Sequence, residues 1–179
     1  MEKDHIKRLI SVLNRLRVGY AFTGAFALSY YGHPRISSDI DILVEDDRGK
    51  LLRLLKNLQA LDYDVTETDV QKAVKECSHF PVFHRERTFP YFDFKVACER
   101  EDKSAIENGG VINYHGVRCR IVSVEDLIVK KLEWNDLEDV KMILTRHRHI
   151  DAKKLEKMAK EKSVFGRLQG LLRAKTKEN

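Results

Sequence analysis

Two aspartates occupy alternate positions in an apolar segment of the chain, Asp39 and Asp41 within Ser-Asp-Ile-Asp-Ile-Leu-Val. Side chains alternate between the two faces of a β-strand, so both carboxylates point to one face and the isoleucines to the other. Neighbouring carboxylates repel, and each disfavours the ionisation of the other. A bound cation removes that repulsion, and Mg²⁺ prefers oxygen ligands. The spacing therefore predicts a metal site on a strand.

A predicted helix begins at Gly24-Ala25, about a dozen residues before this strand. The first turn of a helix presents free N–H groups and partial positive charge, which suits phosphate. Glycine also allows a phosphate oxygen to approach the backbone closely. A triphosphate bound at Gly24 and Ala25 and a metal ion bound by the aspartates would then share one cleft.

A third carboxylate, Asp93, lies in a predicted strand over residues 90–97. We expect this strand to pair with the strand over residues 39–44, because neighbouring strands lie only about 4.8 Å apart and their facing side chains can meet around one ion pair. Two metal ions about 4 Å apart stabilise both the attacking and the leaving oxygen of an in-line phosphoryl displacement. Asp93 is thus the candidate that completes a two-metal site.

The motifs over residues 20–97 resemble those of the polymerase-β-type minimal nucleotidyltransferases, in particular the stand-alone prokaryotic AbiEii/MenT-like group. That family has Gly-Gly or Gly-Ser at a helix start, then Gly-x-x-Arg-x-Ser/Thr-x-Asp-x-Asp, then a lone Asp on a later strand. The corresponding residues here are Gly24-Ala25, the segment from Gly32 to Asp41, and Asp93. Residues 124–140 resemble the helical segment of the same group.

The resemblance implies a metal-dependent enzyme that transfers NMP from an NTP to a hydroxyl on RNA, such as tRNA, or on protein. It also leaves open a role as the toxin of a toxin–antitoxin pair. Asp39 and Asp41 would bind both metal ions. These ions would be Mg²⁺, or Mn²⁺ in place of Mg²⁺. Asp93 would complete the site and activate the attacking hydroxyl. The lysine that matches Lys131 is thought to assist nucleotide handling in the family.

One position departs from the family pattern, because Ala25 stands where the family has Gly or Ser. A serine hydroxyl donates to a phosphate oxygen and alanine cannot, although the backbone N–H remains. This departure leaves an alternative function open: a non-catalytic module that binds a nucleotide, RNA or a partner protein on a nucleotidyltransferase fold.

The other candidate nucleotide-binding residues each have a simpler interpretation. Arg35 could bind a triphosphate or a partner's carboxylate, or it could brace Asp39. Ser37 and Ser38 could contact phosphate or serve only as loop and capping residues. Lys131 could contact the nucleotide or be an ordinary lysine on the surface of a helix.

The net charge of +5 is concentrated at the C-terminal end, where residues 146–179 hold eleven Lys and Arg against four Asp and Glu. The rest of the chain therefore carries a net charge of −2. This asymmetry favours an acidic partner, either RNA such as tRNA or an acidic protein, although a solvated helical surface would show the same charge.

The remaining composition predicts a globular protein without a membrane segment or signal peptide. The three cysteines, at positions 77, 98 and 119, share no metal-binding spacing and favour a reducing cytosol. We therefore predict a cytoplasmic protein.

The resemblance implies a nucleotidyltransferase fold of the α/β (α+β) class: a short, mostly antiparallel mixed sheet flanked by helices, with a helical C-terminal segment. The pattern of apolar residues places the individual elements. Helices are predicted at residues 3–17, 24–31, 47–60 and 124–134, and strands at 39–44, 63–67, 79–86, 90–97 and within 110–122. We predict a nucleotidyltransferase core over residues 1–122 and a helical segment over 123–179 that packs on it as one compact unit.

Overall fold

The computed structural model describes the backbone of residues 2–178 and the side chains of residues 5–86 and 90–174. The helices are α1 (Glu2–Arg15), α2 (Gly24–Tyr30), α3 (Arg48–Gln59), α4 (Glu67–Glu76), α5 (Arg100–Glu107), α6 (Val124–Glu133), α7 (Leu137–Arg146), α8 (Ala152–Glu161) and α9 (Phe165–Glu178). The strands are β1 (Tyr20–Phe22), β2 (Asp39–Glu45), β3 (Tyr63–Asp64), β4 (His79–His84), β5 (Arg87–Ala97), β6 (Gly110–Tyr114) and β7 (Val117–Ile121).

All seven strands form one sheet in the order β3-β4-β5-β2-β1-β7-β6. Strand β2 pairs parallel with β5 and β1 pairs parallel with β7, while the other four pairs are antiparallel. The predicted mixed, mostly antiparallel sheet is therefore confirmed, as is the pairing of the Asp39–Asp41 strand with the Asp93 strand.

Polar side chains cap the starts of several helices. Ser123 accepts a hydrogen bond from the Asp126 N–H at the start of α6. Thr66 and Asp69 form a reciprocal capping box at the start of α4. These caps satisfy N–H groups that the first helical turn leaves without partners.

Four elements differ from the prediction. Strand β1 is only three residues long and fully buried, so its Tyr-Ala-Phe sequence lacks the alternation that marks a half-buried strand. Helices α4 and α5 each bury only two or three side chains, so their helical periodicity is weak in the sequence. The predicted strand 63–67 ends at Asp64, because the capping box at Thr66 begins α4 instead.

The chain divides into two compact units. Unit 1 comprises Met1–Phe26 and Ile36–Val122, and unit 2 comprises Ala27–Arg35 and Ser123–Asn179. In unit 1, α1, α3 and α4 share an apolar core with the sheet that includes Leu9, Phe22 and Phe94. In unit 2, α6 packs against α7 and α8. The predicted packing of the C-terminal segment on the core stays a prediction.

The prediction that the cysteines are reduced was wrong for two of the three residues. Cys77 and Cys98 form a disulfide, whose Cα atoms are 5.7 Å apart, and Cys119 is free and buried. The sequence could not show that the end of α4 meets the end of β5. The disulfide removes the support that the cysteines gave to a reducing compartment, because structural disulfides are rare in the cytosol.

No helix in the described part of the chain is long and apolar enough to cross a membrane.

Candidate active site

The carboxylates of Asp39, Asp41 and Asp93 share one face of two adjacent strands in unit 1. Asp41 on β2 lies directly beside Asp93 on β5 in the parallel register, and Asp39 lies beside Tyr91. All three aspartates are partly exposed, whereas Ile40 and Phe92 between them are buried. The local alternation thus turns the acidic side chains away from the core, as the sequence predicted.

Tyr91 and Ser37 lie beside the grouped carboxylates. Burial raises the pKa of the Tyr91 phenol, and the charges of Asp39, Asp93 and Asp41 raise it further, because each disfavours a phenolate. Ser37 donates a hydrogen bond of 2.5 Å from its hydroxyl to Asp39 Oδ1. The Tyr91 N–H donates to the carbonyl of Ser38. Ser37 and Ser38 thus make hydrogen bonds within the chain that stabilise the segment leading into β2.

His79 is a member of this site that sequence reasoning missed. Its Nδ1 lies 2.8 Å from Asp93 Oδ2, and its side chain is half exposed. The hydrogen bond to Asp93 raises the pKa of His79, against the opposing effect of burial, and the charge of Asp41 adds to the increase. The only signal in the sequence was that His79 opens a strand, and it did not reveal that β4 lies antiparallel beside β5.

Gly24 begins α2 as predicted, and its neighbour is the Asp41 carboxylate. Gly24 has φ +52°, and a Cβ atom built at this position would lie 1.7 Å from Asp41 Oδ2. A side chain at position 24 therefore has neither a relaxed backbone nor room. The helix start predicted to bind phosphate thus adjoins the carboxylate predicted to bind metal, and Ala25, which follows, is buried.

The donor chemistry at these strands suits Mg²⁺, since three carboxylates supply hard oxygen atoms on one face. Among the residues whose side chains are described, however, no three His, Cys, Asp or Glu side chains lie close enough together to hold a metal ion. Asp93 is turned to His79. Lys95, on the same face of β5, pairs with Asp102 at 2.6 Å and leaves Asp93 to the histidine. The side chains must therefore rearrange for the three carboxylates to share an ion.

Arg35 and Lys131 meet at a different carboxylate, Asp139 in unit 2. Arg35 Nη1 lies 3.0 Å and Lys131 Nζ 2.8 Å from Asp139 Oδ2, and His33 Nε2 lies 3.4 Å from its Oδ1. Lys131 also pairs with Asp136 at 2.9 Å. Lys131 and Asp139 are each only 5% exposed, whereas Arg35 is about half exposed. Arg35 alone of the two predicted cations therefore presents its guanidinium to solvent.

Burial raises the pKa of Asp139, but the hydrogen bond from Lys131 and the charges of Lys131, Arg35 and His33 outweigh burial and lower it overall. Asp139 is thus a carboxylate held ionised inside unit 2. The sequence named Asp139 only as part of a segment that resembles the family, and nothing local in it pointed to contacts with Arg35, which is more than a hundred residues away.

The structure thus brings together Gly24, Asp39, Asp41 and Asp93 in one unit, and Arg35 with Lys131 in the other.

The whole chain resembles solved nucleotidyltransferases in its backbone. The crystal structure of ANT(2″)-Ia with adenylyl-2″-tobramycin superposes with a TM-score of 0.59 at 17% identity, covering 94% of this chain and 98% of that chain. An antigenic nucleotidyltransferase-like protein from Paracoccidioides brasiliensis gives 0.57 at 16% identity, covering 96% and 92%. Lincomycin-bound LnuA, a lincosamide antibiotic adenylyltransferase, gives 0.52 at 16% identity, covering 78% and 94%.

The chain has the nucleotidyltransferase fold. The predicted fold class is therefore confirmed, while the assignment to the AbiEii/MenT-like group stays a prediction. No family model and no curated protein matches the chain.

Proposed function

We propose that this protein transfers a nucleoside monophosphate from an NTP to a hydroxyl group and releases pyrophosphate. The observation that carries this proposal is the register of β2 and β5, which sets Asp41 beside Asp93 with Asp39 one step away on the same face. A protein that only bound a partner would have no need of three carboxylates grouped on one strand pair, since each raises the cost of ionising the others.

In the proposed reaction, the acceptor oxygen bonds to the α-phosphorus while the bond from that phosphorus to the bridging oxygen of the β-phosphate breaks. Pyrophosphate leaves with the electron pair of the broken bond. Asp93 accepts the proton of the attacking hydroxyl, because it lies beside the two proposed metal ligands. A rotation of the Asp93 side chain away from His79 would free its carboxylate for this role.

Asp39 and Asp41 are the proposed ligands of Mg²⁺, with Asp93 completing the site, and Mn²⁺ has the same oxygen preference. When bound, the metal would neutralise phosphate charge and stabilise the attacking and leaving oxygens.

The start of α2 at Gly24 and Ala25 is proposed to bind the β- and γ-phosphates through backbone N–H groups. Arg35 is the proposed side-chain contact to phosphate. Lys131 is too buried to reach a ligand readily, so we assign it the task of holding Asp139, which in turn holds Arg35. Ser37 and Ser38 shape the entry to β2.

The test uses NTPs labelled at the α-phosphate, incubated with Mg²⁺ and a cell lysate, followed by mass spectrometry of RNA, protein and small molecules. Asp41→Asn is expected to lower the transfer of label by about 10²-fold or more, because it removes a charge that acts at the reacting phosphate. Asp46→Asn is the matched control, since Asp46 is exposed just beyond the end of β2. Equal transfer by both variants would refute the proposal.

A non-catalytic binding module is the second candidate, and the contact between His79 and Asp93 favours it, because an engaged Asp93 is not arranged for metal binding. In that case the labelled NTP is retained on the protein, no label moves to any acceptor, and retention persists in Asp93→Asn. The same mass spectra identify the acceptor of the wild-type reaction as RNA or protein. Growth arrest on expression would indicate a role as a toxin.

A further inference from the structure

Two clefts on unit 1 are lined by more cations than carboxylates. The larger, here named the basic cleft, encloses about 620 Å³ at the ends of β1 and β2 that lie away from Asp41. Its charged residues are Arg17, Lys50, Lys103, Arg120, Glu45 and Glu107, and its floor includes the buried side chains of Val18, Tyr20 and Ile106. Cations therefore outnumber carboxylates two to one in this cleft.

One of the two carboxylates is already neutralised. Glu45 accepts a hydrogen bond of 2.5 Å from the Gly19 N–H and pairs with Lys50 at 2.7 Å. In the described part of the chain, no ion pair engages Arg17, Lys103 or Arg120. Arg120 Nη1 donates to the neutral carbonyl of Ile106, at 3.4 Å. These three exposed cations are available to an anionic ligand.

The second cleft, of about 520 Å³, lies between α1 and α3 and adds to the same surface. Its described lining includes Lys7, Arg8 and Arg15 and no acidic residue. Arg15 of the second cleft is the last residue of α1, and Arg17 of the basic cleft follows two residues later. The two clefts together form a surface with seven cations and two carboxylates.

The cations of the C-terminal helices are more fully engaged within unit 2. Lys154 lies 3.4 Å from Glu125, Lys160 lies 2.6 Å from Glu156, and Arg167 donates to the carbonyl of Leu132. Internal pairing of this kind reduces the field that a partner would meet. The clefts of unit 1 are therefore better suited to attract an anionic partner than the C-terminal helices, to which the charge count of the sequence pointed.

RNA fits these clefts better than an acidic protein. The core of a protein interface is enriched in exposed aromatic and other large apolar side chains. The large apolar residues that are exposed in the described chain all lie outside both clefts; they are Tyr30, Ile36, Phe83, Val111, Trp134 and Leu172. Separated cations over an open surface instead match the repeated charges of a phosphate backbone.

We propose that the two clefts bind the phosphate backbone of an RNA acceptor whose hydroxyl is carried to the aspartates of β2. This inference rests on the proposed function. Glu45, at the edge of the basic cleft, lies four residues along β2 from Asp41, which corresponds to about 13 Å. A strand of several nucleotides spans that distance, so the clefts select an extended acceptor over a small molecule.

The test measures the binding of fluorescent bulk tRNA, and of a single-stranded oligo-U, over a range of salt concentrations. The variant Lys103→Gln/Arg120→Gln is expected to weaken binding about tenfold near 0.1 M salt. It should also lower the slope of log Kobs against log salt by about two units, one for each lost phosphate contact. The matched control is Lys72→Gln/Lys75→Gln, which removes two exposed cations from α4 of the same unit and is expected to bind as the wild type does.

Equal binding and equal slope for the cleft variant, or an equal loss in the α4 control, would overturn the inference. So would a labelled polyglutamate peptide that binds the wild type as tightly as RNA does, which would indicate an acidic protein partner. Asp41→Asn separates this inference from the proposed function. If Asp41→Asn abolishes transfer while the cleft variant binds RNA normally, only the inference fails. If the cleft variant loses RNA while Asp41→Asn still transfers label, only the proposed function fails.

Discussion

Position 24 favours glycine for two reasons: the backbone has a positive φ, and the Asp41 carboxylate occupies the space of a side chain. Gly24→Ala is expected to lower the free energy of unfolding by about 2 kcal/mol or more, since a non-glycine residue at positive φ costs about 1–3 kcal/mol and the methyl group also displaces Asp41. Transfer activity should fall in the same variant. Urea denaturation and the labelled-NTP assay measure the two effects.

Gly170→Ala is the control for this substitution. Gly170 lies inside α9, and a methyl group added there would meet no atom within 4 Å, so alanine should leave stability unchanged or raise it by up to about 1 kcal/mol. Equal stability of the Gly24→Ala variant and the wild type would show that Asp41 does not confine position 24.

Asp139 forms ion pairs with Arg35 and Lys131, so the loss of its charge should weaken both contacts. Asp139→Asn is expected to cost about 3 kcal/mol of stability, because it leaves the buried Lys131 ammonium with fewer partners. It should also weaken NTP binding through Arg35. Asp136→Asn is the comparison, since the Asp136 side chain is 44% exposed and water can replace part of its contact with Lys131, so this variant is expected to lose less stability than Asp139→Asn. Similar losses in the two variants would contradict the central role of Asp139.

The lowered pKa of Asp139 also predicts a pH dependence. Its contribution to stability is present above the unfolded pKa of about 3.8 and is lost as the pH falls through the lower folded value. As the pH falls below about 4, the wild type should therefore lose more stability than Asp139→Asn does. Parallel acid-unfolding curves would contradict this.

His79 gives a direct measure of the charge at the candidate active site. Its pKa is expected to lie above 6.5 in the wild type and to fall in Asp93→Asn, because the hydrogen bond to Asp93 stabilises the imidazolium. The stabilising effect of that pair is fully present below the unfolded pKa and is lost as the pH rises through the folded value. A titration of the imidazole by NMR measures it, and an unchanged pKa in Asp93→Asn would contradict the contact.

Residues with local chemical patterns were predictable, and residues with distant partners were not. Asp39 and Asp41 lie two positions apart on one strand, so their common face follows from the strand period alone. His79 and Asp139 acquire their surroundings from the pairing of β4 with β5 and from contacts with Arg35. No spacing in the sequence encodes either contact.

The disulfide joins Cys77, at the end of α4 and two residues before β4, to Cys98, which directly follows β5. Cys77→Ser/Cys98→Ser is expected to lower the free energy of unfolding by about 3 kcal/mol, since the bond closes a loop of roughly twenty residues in the unfolded chain. The wild type with reductant should behave as the double variant does. Denaturation curves with and without reductant measure the effect.

A thiol count gives an independent control. The denatured wild type should show one reactive thiol without reductant, from Cys119, and three after reduction. Three thiols without reductant would contradict the disulfide.

The elements that were missed share a physical cause. Helices α4 and α5 bury few side chains, so neither has a long apolar stripe. A capping box and contacts with α3, β4 and β5 stabilise α4, while α5 has no side-chain cap and depends on its contacts with β1, β2 and β5. Strand β1 is buried between β2 and β7, and its short apolar run is ambiguous between helix and strand. The longer elements around them, such as α3 and β2, have clear periodicity and were predicted within a few residues.

At the scale of the whole chain, the overall charge pattern was readable from the sequence, but its consequence was not. The excess of Lys and Arg beyond residue 146 is real, yet several of those cations pair with acidic residues of the same unit. The cations of unit 1 are spread along the sequence from Lys7 to Arg120, so that only folding gathers them. The prediction that the C-terminal segment binds RNA or an acidic protein stays a prediction, and the side chains of its residues 175–179 lie outside the described part of the chain.

A bound nucleotide should stabilise the whole protein in a way that reports the metal site. A ligand at one hundred times its Kd adds about 2.7 kcal/mol, which for a chain of this size raises Tm by roughly 5–10 °C. Thermal unfolding with Mg²⁺ and each of ATP, CTP, GTP and UTP should show this shift for the preferred NTP. Removal of Mg²⁺ by EDTA, or the substitution Asp41→Asn, should abolish most of it, because the triphosphate would then meet uncompensated negative charge. Asp46→Asn should keep the shift. An equal shift in the wild type and in Asp41→Asn, with or without Mg²⁺, would show that the nucleotide binds independently of the aspartates of β2.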